Sequence, residues 1–267
     1  MSRKPSLLLI YAIFFMVFLY GPVLLMPVFS VNDSTFASFP LKGLTFRHYA
    51  GMLDNTSMLA ALWNSFMVGA IVSVISTAVA LPAAMAFTRQ RLPGGGPILS
   101  AMMLPIVVPS IVFGVALLVI LVRILGIPLS LWTIGAGHLL VCIPFALTVL
   151  MSRLEGFDRS LEEASRDLGE GPWMTFRRVT LPLALPGVVS SLLLCFIISF
   201  DEFVLAFFLS GTETTLPVFL FGQLRFPQRL PNSLALGSLI LVVSTIIVIA
   251  AQVLRRRGTD SSQSAGI

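Results

Sequence analysis

Long apolar segments separated by short polar loops dominate the chain. Six windows are each long enough to cross a hydrocarbon core of ~30 Å as a helix that rises ~1.5 Å per residue. The windows cover approximately Leu7–Phe29, Ala61–Phe87, Pro97–Leu121, Leu131–Met151, Leu183–Ser210 and Ser233–Leu254. Because backbone groups in lipid need hydrogen-bond partners within their own segment, such windows form helices. The pattern therefore predicts an all-α membrane protein, with a single domain over residues 1–267 built as a helical bundle.

The composition supports the same class of protein. Hydrophobic residues make up 57% of the chain and charged residues 11%, whereas soluble domains have about 25% charged residues. The third and fourth windows are the hardest to delimit because they contain Pro105, Pro109 and Pro144. The first window is too long for a signal-peptide core and no Ala-x-Ala site follows it, so we expect a retained helix.

Lysine and arginine lie mostly on one side of the predicted membrane. One side holds twelve of them: Arg3, Lys4, Arg89, Arg91, Arg153, Arg159, Arg166, Arg177, Arg178, Arg255, Arg256 and Arg257. The other side holds five: Lys42, Arg47, Arg123, Arg225 and Arg229. Because short cytoplasmic loops accumulate basic residues, both termini are predicted to be cytoplasmic. The net charge of +5 thus indicates topology, and no nucleic-acid partner is expected because the basic residues are split among short loops.

The loop at approximately 153–182 is polar and lies between two apolar windows. Ser160 followed by Glu163 fits a capping box, in which the serine oxygen accepts a backbone N–H and the glutamate reaches back. Gly169 stands where a left-handed helix C-cap is favoured, and Pro172 suits the first turn of a second helix. The sequence therefore predicts two short helices joined by a turn.

The spacing within this loop is distinctive: Glu163, Ala164 and Ser165 precede Gly169 by a fixed interval, and Val179, Leu181 and Pro182 follow it. The pattern resembles the EAA loop of ABC-importer permeases, which is Glu-Ala-Ala, three residues, Gly, nine residues, Ile, one residue, Leu-Pro. Ser165 replaces the second alanine and Val179 the isoleucine, and both replacements keep size or apolarity. Leu181-Pro182 is predicted to end the second short helix.

That resemblance implies a six-transmembrane-helix ABC type I importer permease fold. In the family the loop inserts into a groove on a cytoplasmic ATPase, so we expect ATPase coupling through Glu163, Ala164, Ser165, Gly169, Leu181 and Pro182. The alternative is a well-capped hairpin that only connects two spans.

Partners and location follow from the same resemblance. A complete importer would contain a second permease, two cytoplasmic ATP-binding subunits and an external solute-binding protein, set in the lipid bilayer of a bacterial inner membrane. The chain has no G-x-x-x-x-G-K-[ST] loop, since Gly94-Gly95-Gly96 lacks the lysine. ATP and Mg are therefore expected on the partner ATPase, and we expect neither a cofactor, a metal site nor a catalytic residue in this chain.

Two adjacent acids, Asp201 and Glu202, lie within the fifth window. A charge at the bilayer centre costs at least ~2.5 kcal/mol, so both are predicted to face the bundle interior or a water-filled cavity. Helical arithmetic places an aromatic ridge on the opposite side, formed by Phe196, Phe200, Phe203 and Phe207. The side of the acids also carries small or polar residues, among them Gly187, Ser190 and Ser191. Two interpretations stay open: the acids line a solute pathway, or they pair with Arg225 or Arg229 as a structural latch.

Stretches around the acids carry a second resemblance. Ser199–Phe203, Phe207–Gly211 and Thr215–Pro217, together with Phe39–Thr45 in the first external loop, look like the polyamine permeases, in particular the C-type subunit of the spermidine/putrescine group. This resemblance implies a polyamine solute, whose ammonium groups carboxylates would neutralise and whose stem aromatic faces would hold. The alternative within the importer class is another small organic solute, such as an opine, an amino-acid derivative or a phosphonate.

Two other classes of protein fit less well. A membrane-embedded hydrolase using Asp201 and Glu202 would need a paired aspartate on a second span or a histidine cluster. His48 lies in the first external loop, and His138 is a lone residue in the fourth window that is expected to be packed and hydrogen-bonded. A secondary carrier would need internal repeats with broken helices in matching halves, and the halves show no convincing repeat.

The remaining features are less informative. Cys142 and Cys195 fall within predicted spans and are expected to be small buried hydrophobes rather than ligands or a disulfide. Residues 258–267 are rich in Ser and Gly and predict a disordered tail.

Overall fold

Helices make up the architecture, as the sequence predicts. The computed structural model describes residues 7–34, 36, 38–90 and 92–263. Within those residues, β structure is confined to an isolated antiparallel bridge between Asn32 and Leu44. The all-α fold class is therefore confirmed.

The helices follow the apolar windows with a few differences. In chain order they are α1 (Leu7–Ser30), α2 (Arg47–Leu53), α3 (Thr56–Arg89), α4 (Gly95–Val107), α5 (Ser110–Val119), α6 (Leu131–Glu155), α7 (Ser160–Asp167), α8 (Pro172–Thr175), α9 (Leu181–Asp201), α10 (Val204–Leu209), α11 (Leu216–Gln223) and α12 (Leu230–Gln263). Two π-helical stretches, Ile120–Ile124 and Phe176–Thr180, follow α5 and α8. Among the described residues, five helices are long and apolar enough to cross a membrane, and α4 with α5 makes a sixth if the pair is one span.

The third predicted span is broken rather than continuous. Its two halves, α4 and α5, are bent by 99° at the break. Val108 and Pro109 there have extended backbone angles, with ψ of 130° and 129°. The cause is local, because proline disfavours the helical conformation of the residue before it. Pro105 and Pro144, by contrast, lie inside α4 and α6.

The fifth span is also broken, so the prediction of one helix over Leu183–Ser210 is wrong. Helix α9 ends at Asp201, and Glu202 is extended with ψ of 110°. The Glu202 carboxylate accepts the backbone N–H of Leu205 at 3.1 Å, which satisfies a free donor at the start of α10. The aromatic ridge therefore stops at the break, and Phe203 and Phe207 follow a different helix axis.

The beginning of the fifth span corrects a second prediction. Leu181 and Pro182 do not end a helix; they form the first turn of α9. The helical path runs on from Pro172 through the π-helical stretch. Pro182 comes just after this π-helical stretch, and a local π-helical adjustment is one way in which a spanning helix accommodates the N–H that proline lacks.

The chain divides into two compact units, one comprising the described parts of Met1–Leu59 and Leu220–Ile267, the other Ala60–Phe219. In the first unit, α12 packs against α1 and α2. The Tyr49 hydroxyl lies 2.8 Å from the Ser30 hydroxyl and donates to Ser238 at 3.3 Å. Helix α12 continues through Gln263, so the predicted disordered tail is helical over 258–263, where no proline interrupts it; residues 264–267 lie outside the described residues.

In the second unit, α9 packs most extensively against α6. The contact uses a buried stripe on α9 at four-residue spacing: Gly187, Ser191, Cys195 and Ser199. Each position meets a neighbouring helix: Ser191 bonds Thr77 of α3 at 2.9 Å, and Ser199 lies 2.8 Å from Nδ1 of His138. Two of the small residues that the sequence places beside the acids, Gly187 and Ser191, thus serve helix packing, as such residues commonly do in membranes. The third, Ser190, is exposed and donates to the carbonyl of Pro186 in its own helix at 2.8 Å.

The two cysteines lie in this same interface. Cys142 and Cys195 are buried and free, and each thiol donates to the carbonyl oxygen of the other residue. The prediction of small buried residues is confirmed. Phe196 packs edge-on against Phe66 of α3, with ring centroids 5.6 Å apart, so this phenylalanine faces a neighbouring helix.

Candidate functional site

The turn between α7 and α8 forms as the sequence predicts. Gly169 has φ of +88°, in the left-handed region that favours glycine. The N–H of Gly169 donates to the carbonyl of Arg166 at 2.8 Å, and that of Glu170 to the carbonyl of Ser165 at 3.2 Å. This pair of bonds is the Schellman arrangement. The Ser165 and Thr175 hydroxyls, 3.2 Å apart, fix the second helix against the first.

The predicted capping box at the start of α7 is wrong. Arg159, before the helix, already has helical angles and makes no side-chain cap, so Ser160 lies inside the first turn. Asp158 takes the capping role instead, because its carboxylate accepts the N–H of Ser160 at 3.0 Å. That backbone bond, together with one from the Ser160 hydroxyl, lowers the pKa of Asp158. Glu163 is left exposed and free for another contact.

The predicted coupling residues fall into two groups. Glu163, Ala164 and Gly169 are exposed on α7 and its turn, and Ser165 is half-buried. Leu181 and Pro182 lie at the start of α9. Large apolar side chains are exposed beside the first group: Leu161 at 47%, Leu168 at 86% and Trp173 at 69%. Apolar side chains clustered among charges in this way are typical of a surface that binds another protein.

Sequence reasoning missed the carboxylate next to Glu163. Glu162 is buried, and its Oε1 accepts hydrogen bonds from Thr180 at 2.9 Å and from Nη2 of Arg89 at 3.2 Å. Its Oε2 lies 3.1 Å from Nε of Arg89. The signal in the sequence was weak: two adjacent glutamates in a first turn, and an arginine at the end of a long apolar window.

The structure separates the two acids of the fifth span. Asp201 is the last residue of α9 and is exposed, whereas Glu202 is half-buried and caps α10. Within the described part of Ala60–Phe219, neither carboxylate has a basic side chain at ion-pair distance. Pairing with Arg225 or Arg229 stays a prediction. The geometry thus gives Glu202 a structural task and leaves Asp201 available at a helix break.

Comparison with known proteins adds family information. A sequence profile described as "Binding-protein-dependent transport system inner membrane component" matches residues 76–259. The chain is 32% identical over 247 residues to the spermidine/putrescine transport system permease protein PotC of Escherichia coli (strain K12), covering 92% of both chains. It is also 32% identical to the putrescine transport system permease protein PotI of the same strain, covering 90% of this chain and 87% of the relative.

Solved structures share the fold. A bacterial ABC transporter involved in the import of the acidic polysaccharide alginate matches with a TM-score of 0.69 and 20% identity, covering 94% of this chain and 98% of that chain. The same type of alginate transporter, in complex with an alginate pentasaccharide-bound periplasmic protein, gives a TM-score of 0.73 at 16% identity, covering 94% and 93%. The MetNI methionine ABC transporter gives 0.59 at 18% identity, covering 74% and 94%. Because the sequence identities are this low, these three matches show a shared fold and nothing further.

Proposed function

The chain belongs to the family of binding-protein-dependent transport system inner membrane components, and we propose that it is the permease subunit of an ATP-driven importer of polyamines such as spermidine and putrescine. One observation carries the choice of solute: the chain is 32% identical over 92% of its length to a permease named for that transport. The exposed Asp201 at the break of the fifth span supports a cationic solute.

The coupling surface in this proposal is the exposed side of α7 and its turn. The ATPase binds a surface formed by Glu163, Ala164 and Ser165. The left-handed backbone of Gly169 fixes the shape of the turn beside that surface. Leu181 and Pro182 begin α9 on the same continuous helical path, so a displacement of the turn is passed directly to the fifth span.

Solute movement in this proposal is alternating access past Asp201. A polyamine carries separated ammonium groups, and an exposed carboxylate attracts one of them by its opposite charge. Tight binding would slow release, so selectivity resides mostly in the external binding protein. Glu202 serves the pathway indirectly, because capping α10 keeps the helix break open at Asp201. The chain catalyses no reaction, and ATP and Mg are bound by the partner ATPase.

The complete assembly comprises this chain, a second permease, two ATP-binding subunits and a solute-binding protein. Both termini and the loop that contains α7 and α8 face the cytoplasm. The second permease is either a copy of this chain or a related chain. Its identity decides whether the two loops of this kind in the complex have the same sequence.

The direct test is uptake by the purified complex in proteoliposomes. With ATP inside and binding protein outside, we expect radiolabelled spermidine or putrescine to accumulate, and no uptake with a non-hydrolysable ATP analogue. Uptake of an opine, an amino-acid derivative or a phosphonate in place of polyamines would refute the proposed solute while keeping the importer. Uptake that persists without any ATPase would refute the importer itself.

A further inference from the structure

Helix α3 has no short backbone connection to the surface that the ATPase is proposed to bind. We call residues Ser160–Thr180, which include α7 and α8, the coupling segment. This segment continues through short backbone connections into α6 on one side and α9 on the other. A displacement of the segment therefore reaches α6 and α9 through the backbone, whereas it reaches α3 only through side-chain contacts.

Those contacts concentrate on the last residues of α3. Arg89, the final residue, contacts the Glu162 carboxylate on α7 through two guanidinium nitrogens, Nη2 and Nε. The same guanidinium lies over the ring of Phe157, 4.6 Å from its centroid. A second contact comes from the residue just before the coupling segment, because the Arg159 side chain donates to the backbone carbonyl of Thr88.

Glu162 joins a third helix to this pair. Its Oε1 accepts the Thr180 hydroxyl at 2.9 Å, and Thr180 is the buried last residue of the π-helical stretch that leads into α9. One carboxylate thus connects the end of α3, the coupling segment and the beginning of α9. Shared acceptors of this kind hold their donors in one geometry, because moving either donor leaves the carboxylate only partly compensated.

Burial distinguishes this ion pair from another in the same segment. The Arg89 and Glu162 side chains are 13% and 10% exposed, whereas Arg178, which pairs with Glu170, is 63% exposed. Exposed pairs contribute little because water competes for both charges. Loss of one partner of a buried pair leaves an uncompensated charge, so the buried pair resists separation.

A cavity of about 320 Å³ adjoins the buried pair, lined by residues of α3 and of the coupling segment. Apolar packing is therefore incomplete at this junction, and the polar contacts carry a larger share of the connection between α3 and the coupling segment. Met85 and Phe176 are among the residues that line the cavity rather than fill it.

From these contacts we propose that Arg89 and Glu162 form a joint that makes α3 move together with the coupling segment, so that the ATPase drives α3, α6 and α9 as one body. The joint rests on the proposed function in one respect, namely that a motor protein moves the coupling segment. It adds two residues outside the recognised loop spacing to the machinery of transport, as positioning residues.

The first test measures whether the two parts move together. Spin labels replace the exposed residues Gln90, directly after α3, and Ser160, at the start of α7, in the full complex with and without vanadate-trapped ATP. In the wild-type background we expect one Gln90–Ser160 distance in both states. In Glu162→Gln we expect the distance to change or broaden on trapping. A change in the wild type, or the same unchanged distance in the variant, would overturn the joint.

The second test measures coupling. In Glu162→Gln and Arg89→Gln, we expect binding-protein-stimulated ATP hydrolysis to persist, while the solute moved per ATP falls about tenfold, a factor that corresponds to ~1.4 kcal/mol. The matched control is Arg178→Gln, which breaks the exposed pair and should leave the ratio unchanged. Unchanged ratios in both single variants would refute the proposal.

A double variant guards against a folding defect in either single one. Arg89→Gln/Glu162→Gln removes both charges, so no unpaired charge is buried, and its coupling ratio should be no lower than that of the worse single variant. A multiplicative loss would show that the two residues act separately. Failure of the solute assignment is distinguishable: a wild-type complex that imports no polyamine but keeps the label distance constant retains the joint and loses the proposed solute.

Discussion

The side chains of Asp201 and Glu202 are adjacent in sequence, yet the helix break gives them different environments. Glu202 turns its carboxylate toward the first turn of α10, where it accepts the N–H of Leu205. Asp201 ends α9 exposed. A carboxylate that caps a helix has fewer free lone pairs with which to bind a passing cation, and its side chain is less able to reorient. The two acids should therefore contribute unequally to transport.

This difference predicts unequal effects of neutral substitution. Asp201→Asn removes a charge that attracts the solute, and we expect polyamine uptake to fall at least about tenfold, equivalent to ~1.4 kcal/mol. Glu202→Gln keeps a side-chain oxygen that can cap α10, so its effect should be much smaller. Initial uptake rates at limiting polyamine concentration measure both. Equal losses would contradict the unequal roles of the two acids, and normal uptake by Asp201→Asn would mean that this charge does not attract the solute.

Gly169 lies at the turn between α7 and α8 in a backbone conformation that favours glycine. Its φ of +88° is strained for residues with a Cβ, at ~1–2 kcal/mol, and most strained for β-branched ones. Gly169→Val should therefore reshape the turn and abolish uptake while membrane insertion and protein level stay normal. Gly169→Asn should retain more activity, because asparagine tolerates this region better.

The matched control for that turn is Gly171→Ala. A Cβ at Gly171 would meet nothing within 4 Å, and its φ of −72° is ordinary. Immunoblotting of membranes checks insertion, and proteoliposome uptake checks transport. Normal transport by Gly169→Val would contradict the assignment of this turn to ATPase coupling.

At the scale of elements, the sequence predicts what local chemistry decides. The left-handed turn at Gly169 and the first-turn proline at Pro172 both form as expected, because each depends on one residue's own backbone preference. The break after Asp201 was missed, because the apolar residues on both sides of it suit one continuous helix. Glu162 was missed as a joint because its partner Arg89 is 73 residues away, a distance over which helical periodicity carries no information.

The loop that contains Gly211 and the loop that contains Leu129 contact each other through backbone atoms at the beginning of α6. A Cβ on Gly211 would overlap the carbonyl oxygen of Leu129. Close by, the Thr133 hydroxyl donates to the carbonyl of Leu209 at 2.8 Å. Because backbone atoms cannot swing aside as a flexible side chain does, Gly211→Ala should destabilise the unit by ~1–3 kcal/mol.

The measurement for Gly211→Ala is the midpoint of thermal unfolding of the purified protein in detergent. Gly96→Ala is the control, since a Cβ at that position would meet nothing within 4 Å. A midpoint for Gly211→Ala equal to that of the control would show that the two loops can separate at no cost.

At the scale of the whole molecule, the bent pair α4–α5 decides the topology. Among the described residues, five other helices are long enough to cross a membrane. If the pair crosses as one broken span, the number of crossings is even and both termini lie on the same side. If the pair re-enters instead, the number of crossings is odd. The coupling segment then lies on the opposite side of the membrane from the loop between α3 and α4. The bend of 99° is compatible with either geometry, so the charge distribution becomes decisive.

The excess of lysine and arginine around the termini and the coupling segment predicts that the pair crosses. Single cysteines introduced at Lys42, Leu125, Ser160 and Ser262 test this with a membrane-impermeant maleimide, and Cys142 and Cys195, both 0% exposed, give little background. In intact spheroplasts we expect labelling at Lys42 and Leu125, and at Ser160 and Ser262 only after permeabilisation. Leu125 discriminates most sharply, because protection of that position together with labelling of Ser160 and Ser262 in intact spheroplasts would make the pair re-entrant and place the coupling segment outside, beyond the reach of any cytoplasmic ATPase.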